Sequence, residues 1–344
     1  MKKSFSTRRE FIRNSSLGLT AAGLGATHPS SGPDAATAPC RLPREVWVGT
    51  VASGGLRAET AGEMVSKVIE IMEKMAPFQP DIICLPEVFA YTGINEKFEI
   101  REVAAAVPGP VVSPLQDFAR RHQCYVICPT YIRQQHHYYI GAVLIDRGGK
   151  VAGEYLKSRP ADSELAAGVM PGPLDPPVFT TDFGKIGIQI CYDIKWDEGW
   201  HKLKAAGAEI IFWPSAYAGG RELSGRAWRH QVYIVSSTLK DSSRICDMTG
   251  EVIAQTGRWQ SQWVCAPLNL EKAFLHAWPA VRVFPEIQKK YGRKIKLTTY
   301  TEEEWTTLES LDPEVKIADV LAEFDLPTHY QHINNSSRMQ NNKR

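Results

Sequence analysis

The 344-residue chain lacks several features that mark particular classes of protein. No apolar run reaches the roughly 18 residues needed to cross a bilayer, so a membrane-spanning protein is not predicted. Neither a CxxC pair nor an HxxxH pair occurs, and a zinc site therefore has no support in the sequence. Basic residues show no clustered excess, because 40 Lys and Arg stand against 38 Asp and Glu, which argues against a nucleic-acid-binding surface.

The seven cysteines do not have the spacing of a disulfide framework, and their number is odd. Cys124 and Cys128 lie four residues apart in an apolar run, so on a strand their side chains share one face. No His or acidic residue lies between them. We interpret this pair as core packing, because a free cysteine usually behaves as a small buried hydrophobe.

Residues 1–38 have the layout of a twin-arginine export signal. Ser6–Ile12 contains an arginine pair followed by Phe and Ile, and Leu17–Ala26 is a weakly apolar run rich in Gly and Ala. An ordinary basic tail is the alternative. Cleavage after residue 38, with Ala26 as a rival site, would leave 35 basic against 36 acidic residues. We therefore predict a soluble protein that the twin-arginine machinery exports to the periplasm or the extracellular space.

Strand-like and helix-like patterns alternate between about residues 43 and 270, which is typical of a layered α/β domain. We assign residues 39–270 to that domain, with a long ordered loop over Ser158–Pro177. Strands are predicted over 43–52, Ile82–Leu85, Tyr125–Tyr131, Tyr138–Ile145, Val151–Leu156, Ile186–Ile190, Glu209–Pro214, Val232–Leu239, Val252–Gln255 and Trp263–Leu268. Helices are predicted over Thr60–Met75, from a capping box at Ser113, over Trp196–Leu203 and over Gly225–Gln231.

The pattern weakens in residues 271–344, which we treat as a C-terminal extension. Helices are predicted near Glu302–Leu308 and Glu314–Phe324, followed by a polar end. This composition favours an arm that packs on a neighbouring subunit over an independent domain.

Three chemically capable side chains stand at the ends of three separate predicted strands, namely Glu87, Lys157 and Cys191. Each has an ordinary explanation when taken alone: a solvated acid, an edge charge and a small buried hydrophobe. Together they place an acid, an ammonium and a thiol where α/β sheets hold their active sites. The sequence therefore predicts nucleophilic chemistry in a crevice at the strand ends.

The stretches around these three residues resemble the nitrilase superfamily of carbon-nitrogen hydrolases. The resemblance covers most of residues 43–270 in order, and it implies a four-layer αββα sandwich. It also implies a homodimer or a higher homo-oligomer that associates through the helix after the cysteine. The matching stretches are Asp81–Gly93 (DIICLPEVFAYTG), Gly153–Arg159 (GEYLKSR), Gly184–Glu198 (GKIGIQICYDIKWDE), Gly207–Ala216 (GAEIIFWPSA) and Ser243–Ile253.

The resemblance implies hydrolysis of a small amide through a thioester on Cys191, with release of an acid and of ammonia or an amine. Glu87 would be the general base and acid, and Lys157 would stabilise the oxyanion together with the backbone N–H of Tyr192. Glu164 matches the family's second glutamate, which orients substrate, and a solvated loop acid is the alternative. This chemistry requires neither a metal nor an organic cofactor.

Two departures from the family pattern bear on the substrate. Arg159 stands where many members have a histidine, and its guanidinium suits a substrate carboxylate. Tyr-Asp after the cysteine is similar to the amidase branches, which favours an amide or ureide over a nitrile. The pocket-lining candidates, each of which has core packing as the alternative, are Tyr91, Trp196, Trp213 and Tyr217.

Several other functions stay open from the sequence. An N-carbamoyl hydrolase or a nitrilase would use the same three residues, and an acyltransferase would pass the acyl group to an amine. A catalytically silent binding or assembly protein would need none of them. A cysteine–histidine hydrolase using His201 or His230 has weaker support, because neither histidine lies in a stretch that requires one.

Overall fold

The computed structural model describes residues 42–257, 259 and 261–344, and the proposed export signal lies outside the described residues. The strands are β1 Glu45–Val51, β2 Ile82–Cys84, β3 Tyr125–Gln134, β4 His137–Ile145, β5 Val151–Leu156, β6 Phe179–Thr180, β7 Lys185–Ile188, β8 Ile210–Ser215, β9 Tyr233–Thr238, β10 Arg244–Cys246, β11 Val252–Gln255, β12 Trp263–Asn269, β13 Lys272–His276, β14 Ile295–Tyr300 and β15 Trp305–Ser310. The helices are α1 Ala61–Glu73, α2 Ile100–Val103, α3 Val112–His122, α4 Asp162–Ala166, α5 Glu198–Ala205, α6 Arg221–His230, α7 Ala277–Ala280, α8 Phe284–Tyr291, α9 Ile317–Glu323 and α10 His329–Asn341. Short 3-10 turns span Ala76–Phe78, Phe89–Tyr91, Cys191–Lys195 and Gly292–Lys294.

Two sheets form the centre of residues 42–270. Within the described part of the chain, the strand order is β12-β1-β2-β3-β4-β5 in sheet A and β11-β10-β9-β8-β7-β6 in sheet B. Strands β1 to β3 are parallel neighbours in sheet A, as β7 to β9 are in sheet B. Two antiparallel pairings separate β5 from β3, so β5 runs in the same direction as β3. The residues that follow β2 and β5 therefore lie at the same edge of sheet A.

Apolar side chains on alternate strand positions fill the spaces between four layers. Ile82 and Cys84 of β2 face the core between the two sheets, and Ile83 faces the helices α1 and α3. On the outer face of sheet B, Trp200 and Leu203 of α5 pack with the neighbouring α6. The order helices, sheet A, sheet B, helices is the predicted αββα sandwich, which is thereby confirmed.

Two local predictions in this region are wrong. The helix α3 begins at Val112, and the Ser113 hydroxyl donates to Gly109 O at 3.1 Å instead of capping the helix. The segment Ser158–Pro177 is not a continuous loop, because it contains the helix α4. This helix carries Glu164 on its first turn.

Residues 271–344 form their own three-stranded sheet, in the order β13-β15-β14. The predicted helix over Glu302–Leu308 is wrong, because β15 occupies the centre of this sheet and pairs on both sides. The β-branched residues Thr306 and Thr307 suit that central strand. The helix predicted over Glu314–Phe324 is present as α9, and α10 covers the polar end.

The extension packs against its own chain. Trp228 of α6 stacks on Trp305 of β15 with 3.9 Å between ring centroids, and Gln231 Nε2 lies 2.5 Å from His329 Nδ1. Contact of the extension with a neighbouring subunit stays a prediction. In the described ranges, every helix is too short or too polar to cross a membrane.

Candidate active site

Two of the three predicted strand-end groups form a buried ion pair. Lys157 Nζ donates to Glu87 Oε1 at 2.7 Å, and the two side chains are 0% and 2% exposed. The fold brings them together because β2 and β5 end at the same edge of sheet A. The second oxygen of the base candidate, Glu87 Oε2, is buried with no nitrogen or oxygen donor among the described residues. The Cys191 thiol is the further side chain that acts on this carboxylate by hydrogen bonding. Glu87 Oε2 is therefore free to accept a proton.

Glu164 completes a three-charge cluster with this pair. Lys157 Nζ lies 2.7 Å from both Glu164 oxygens, and the Glu164 side chain is 22% exposed. The backbone N–H of Ala161 donates to Glu164 Oε2 at 2.7 Å and holds the carboxylate at the start of α4. The cluster therefore pairs one ammonium with two carboxylates. Glu164 is the more exposed of the two carboxylates.

Cys191 lies at a sharp turn between β7 and the 3-10 turn that starts with it. Its φ is 45°, and Val88, the residue after Glu87, has a φ of 39°. Left-handed backbone is uncommon for residues other than glycine, and in a β-branched residue it is an outlier that costs about 1–3 kcal/mol. The Trp213 indole donates to the Cys191 carbonyl at 3.0 Å and supports this turn. Both functional strand ends are thus held in strained conformations by the packing around them.

The thiol of Cys191 is 9% exposed and lies in the field of the charge cluster. Burial raises the pKa of Cys191 to about 12, and the negative charge of Glu87 acts in the same direction. The Lys157 ammonium, the Ser215 hydroxyl and the Ala216 backbone N–H oppose this effect. The resting thiol therefore stays protonated at neutral pH, so Lys157 alone does not produce a thiolate. The nucleophile needs a base during attack.

The same cluster sets the protonation of Glu87 and Lys157. Burial raises the pKa of Glu87, and the nearby Lys157 ammonium only partly offsets this. For Lys157, burial lowers the pKa, but the charges of Glu87, Cys191 and Glu164 outweigh burial and raise it above its ordinary value. Lys157 therefore stays charged across the physiological range. A carboxylate with a raised pKa is the better proton acceptor for a thiol.

The remaining predicted site residues occupy the surroundings of this centre. The Arg159 guanidinium lies 5.1 Å from the Trp196 ring centroid and 3.4 Å from Glu198, and the Tyr192 ring contacts Trp196 edge-on. Tyr192 is the second residue of the 3-10 turn, directly after the thiol. These aromatic and cationic groups contact one another beside the start of α5.

Three further aromatic candidates differ in their surroundings. Tyr91 contacts Tyr131 at 5.4 Å between ring centroids, and Tyr217 donates to Glu222 at 3.1 Å. Trp213 is fully buried, so it does not line a pocket. Its indole instead donates to the backbone carbonyl of Cys191. The predicted pocket role of Trp213 is therefore wrong, and core packing is the role the structure shows.

The histidines of the alternative mechanism lie elsewhere. His230 Nε2 is 3.0 Å from Asp197 Oδ1, and burial lowers the pKa of His230 to about 4. His201 is an exposed residue of α5. The charged groups that act on the Cys191 thiol are Glu87 and Lys157. This arrangement supports the glutamate–lysine–cysteine hypothesis over the histidine one.

Four residues near the site were missed from the sequence: Tyr131, Tyr155, Asp193 and Ser215. Ser215 ends β8 and carries the same strand-end signal that drew attention to Glu87. Tyr131 lies within β3, and nothing local distinguishes it from a core tyrosine. Residues of this kind become visible only when distant strands are placed side by side. Over the described residues, no group of three or more His, Cys, Asp or Glu side chains is arranged to hold a metal ion.

Comparison with known proteins places the chain in a family. The family model for carbon-nitrogen hydrolases matches residues 50–274, which is more than half of the chain. The chain therefore belongs to the carbon-nitrogen hydrolase family, which confirms the resemblance inferred from the sequence.

Particular relatives refine this picture. A β-ureidopropionase from Arabidopsis thaliana is 30% identical over 205 residues, which is 55% of this chain and 49% of that protein. A deaminated glutathione amidase from Synechocystis is 27% identical over 194 residues, or 51% and 71% of the two chains. This chain thus matches about half the length of the first relative and about seven tenths of the second.

Solved structures show the same fold. An amidase from Nesterenkonia sp. superimposes with a TM-score of 0.59 at 17% identity, covering 68% of this chain and 94% of that one. Nit3 of Saccharomyces cerevisiae, a member of the nitrilase superfamily, gives a TM-score of 0.58 at 19% identity, with coverages of 73% and 96%.

Proposed function

We propose that this protein hydrolyses a non-peptide C–N bond of a small amide through a thioester on Cys191. The observation that carries the proposal is that a buried acid–ammonium pair and a buried thiol come from three distant strand ends and interact with one another. The names of the relatives, an amidase and a ureidopropionase, support the same chemical class of substrate.

The geometry supports a two-stage reaction. Glu87 takes the thiol proton as the Cys191 sulfur forms a bond to the carbonyl carbon, and the carbonyl oxygen becomes an oxyanion. Lys157 and the backbone N–H of Tyr192 stabilise that oxyanion. Glu87 then returns the proton to the nitrogen as the C–N bond breaks. Ammonia or an amine leaves, and a thioester remains on Cys191.

Hydrolysis of the thioester repeats the sequence with water. Glu87 takes a proton from water as its oxygen attacks the thioester carbon, and it returns a proton to the sulfur when the C–S bond breaks. The carboxylic acid leaves and the thiol is restored. Glu164, which is more exposed than Glu87, orients the substrate and balances the charge of Lys157.

A ureide is the second candidate substrate, because the relative at 30% identity is a β-ureidopropionase. A ureide would release carbon dioxide, ammonia and an amine, whereas an amide releases a carboxylic acid. The Arg159 guanidinium beside the start of α5 would pair with a carboxylate on either substrate. Acyl transfer to an amine and hydrolysis of a nitrile remain alternatives that product analysis separates.

Intact-mass spectrometry of the purified protein with a panel of amides and ureides tests the proposal. We expect an acyl or carbamoyl adduct on Cys191 and release of the corresponding products, with no adduct in Cys191→Ala. Cys128→Ala is the matched control, because Cys128 is also a buried cysteine, lies in β3 and has no proposed role. A wild-type protein that forms no adduct and turns over no panel member would instead favour the silent binding protein.

Export and self-association are separate proposals. We expect the twin-arginine signal to carry the protein out of the cytoplasm, and a variant with both arginines of the pair replaced by lysine should stay in the cytosolic fraction. We expect a homodimer or larger homo-oligomer, which light scattering coupled to size-exclusion chromatography would measure. A cytosolic wild-type protein or a monomer would contradict the respective proposal.

A further inference from the structure

Asp193 is a buried carboxylate whose hydrogen-bond partners are Ile190, Tyr155 and Arg159, not the groups of the charge cluster. It is 1% exposed and lies in the 3-10 turn that begins at Cys191. Burial of an acid without compensation is costly, and burial raises the pKa of Asp193 to about 7. A group of this kind persists in a core only where its oxygens are well satisfied by donors.

The donors to Asp193 come from two separate parts of the chain. Oδ2 accepts from the backbone N–H of Ile190 at 2.8 Å and from the Tyr155 hydroxyl at 2.7 Å. Oδ1 accepts from the backbone N–H of Arg159 at 2.8 Å. Ile190 directly precedes the nucleophile, and Arg159 lies two residues after Lys157. One carboxylate thus joins the two backbone segments that carry the thiol and the ammonium.

Tyr155 extends this link into a buried network. Its hydroxyl lies 3.1 Å from Ser158 Oγ, and it accepts from Gln189 Nε2 at 3.1 Å. Ser158 also donates its hydroxyl to Pro173 O at 2.6 Å. The network therefore spans β5, the residues after it and the end of β7, around a tyrosine that is 1% exposed.

We propose that Asp193 is a positioning residue that sets the separation between Lys157 and Cys191 by holding both backbone segments with one carboxylate. This inference rests on the proposed function. Asp193 is linked to the chemistry through its hydrogen bonds to Ile190 and Arg159, and its charge also acts on Lys157. A displacement of about 1 Å at a reacting centre costs up to about 100-fold in rate, so a small release of either segment has a measurable effect.

The Asp193→Asn variant distinguishes the hydrogen bond to Ile190 from the hydrogen bond to Arg159. The carbonyl oxygen of asparagine satisfies the Oδ2 position, which accepts two donors, and its NH2 group then faces the N–H of Arg159. The turn that carries Cys191 therefore keeps its hydrogen bond from the Ile190 N–H. The segment that carries Lys157 loses its hydrogen bond from the Arg159 N–H. We expect kcat to fall about 10- to 100-fold with KM changed less than about threefold.

Alkylation of Cys191 by iodoacetamide is a second readout that needs no substrate. The titratable groups that act on the thiol are Glu87, Lys157 and Tyr217, and of these the Lys157 ammonium favours the thiolate.

Lys157 in turn interacts with Glu164, Tyr131 and Asp193 itself. Loss of the Asp193 charge would by itself favour the thiolate, so a shift to higher pH reports the movement of Lys157 and not the lost charge. If Lys157 moves away from Cys191, the dependence of the alkylation rate on pH should shift to higher pH. A shift of about one pH unit corresponds to a reaction about tenfold slower at neutral pH.

Asp247→Asn is the matched control. Asp247 is 14% exposed, accepts from the Thr249 N–H at 2.9 Å and pairs with Lys272 at 2.7 Å, in the turn between β10 and β11. The Asp247→Asn variant should be less stable than wild type, and its alkylation rate should depend on pH as in wild type. Tyr155→Phe keeps the ring and removes one donor to Asp193, so its alkylation should slow by less than that of Asp193→Asn.

The outcomes separate the two proposals. Slower, alkaline-shifted alkylation in Asp193→Asn but not in Asp247→Asn supports the positioning role, even if no substrate is turned over. An unchanged profile in folded Asp193→Asn, or equal changes in both variants, overturns it. If Asp193→Asn does not fold, a Tyr155→Phe profile identical to that of wild type also overturns it.

Discussion

Two charge clusters differ in their surroundings: the inner one follows strands of sheet A, and the outer one lies between the start of α5 and α6. The inner cluster of Glu87, Lys157 and Glu164 has side chains 2%, 0% and 22% exposed. In the outer cluster, Asp197 is 41% exposed and pairs with Arg226, Arg229 and His230. The inner cluster has an excess of negative charge, and the outer one has an excess of positive charge.

This difference shows how burial changes the pKa of a carboxylate that is paired with a cation. At the outer cluster, partial burial raises the pKa of Asp197, but His230 and Arg226 outweigh it and hold that pKa below its usual range. At the inner cluster, burial prevails and raises the pKa of Glu87 despite its ammonium partner. Solvent screening makes the outer pairs weak, whereas the inner charges act strongly on the nearby thiol.

The largest effect is expected for Glu87→Gln. The amide keeps the shape of the side chain but accepts no proton from the thiol, so kcat/KM should fall about 100- to 10,000-fold. Steady-state kinetics on the best substrate of the panel measure this. Asp197→Asn provides the comparison at the outer cluster. Equal activity in Glu87→Gln and wild type would exclude Glu87 as the base.

A large stability effect is expected for Lys157→Met. Removing the ammonium leaves Glu87 and Glu164 facing each other with no cation, and the free energy of unfolding should fall by about 3–5 kcal/mol at neutral pH. Arg229→Met removes an exposed cation from the outer cluster and should cost about 0–1 kcal/mol. Urea denaturation at pH 7 compares the two variants. Similar losses would show that burial does not distinguish the clusters.

The pH dependence of activity should reflect the raised pKa of Glu87. The base works only when ionised, and because its pKa is raised, ionisation is complete at a higher pH than for an ordinary carboxylate. As the pH falls through that pKa, kcat/KM should fall about tenfold per unit. A pH–rate profile of wild type checks this. An acid limb at the usual glutamate value would contradict the burial argument.

The smallest effect is expected for Asp197→Asn. Its pairs are partly exposed, so the loss in unfolding free energy should be about 1 kcal/mol or less and should shrink as salt is added. Activity should stay within about twofold of wild type. Thermal unfolding at low and high ionic strength measures the first effect. A loss of activity comparable to that of Glu87→Gln would show that the outer cluster also acts on the site.

Local patterns in the sequence determined most of the sandwich and its central chemistry. Alternating apolar residues encode strands directly, since each side chain faces one of two cores, and β5 and β11 were predicted with their bounds. Glu87, Lys157 and Cys191 were visible because a polar group at the end of an apolar strand interrupts a simple pattern.

Tertiary structure decided what no local pattern contains. The segment Glu302–Leu308 has helical composition in part, but pairing of β15 on both sides makes Trp305–Ser310 a strand. The protonation of Cys191 depends on how much it is buried and on the charges of Glu87 and Lys157, which follow β2 and β5. The role of Asp193 depends on donors 34 and 38 residues away. Distances between such distant segments arise only on folding, so the sequence named the candidate reacting groups and the packed structure determined their surroundings.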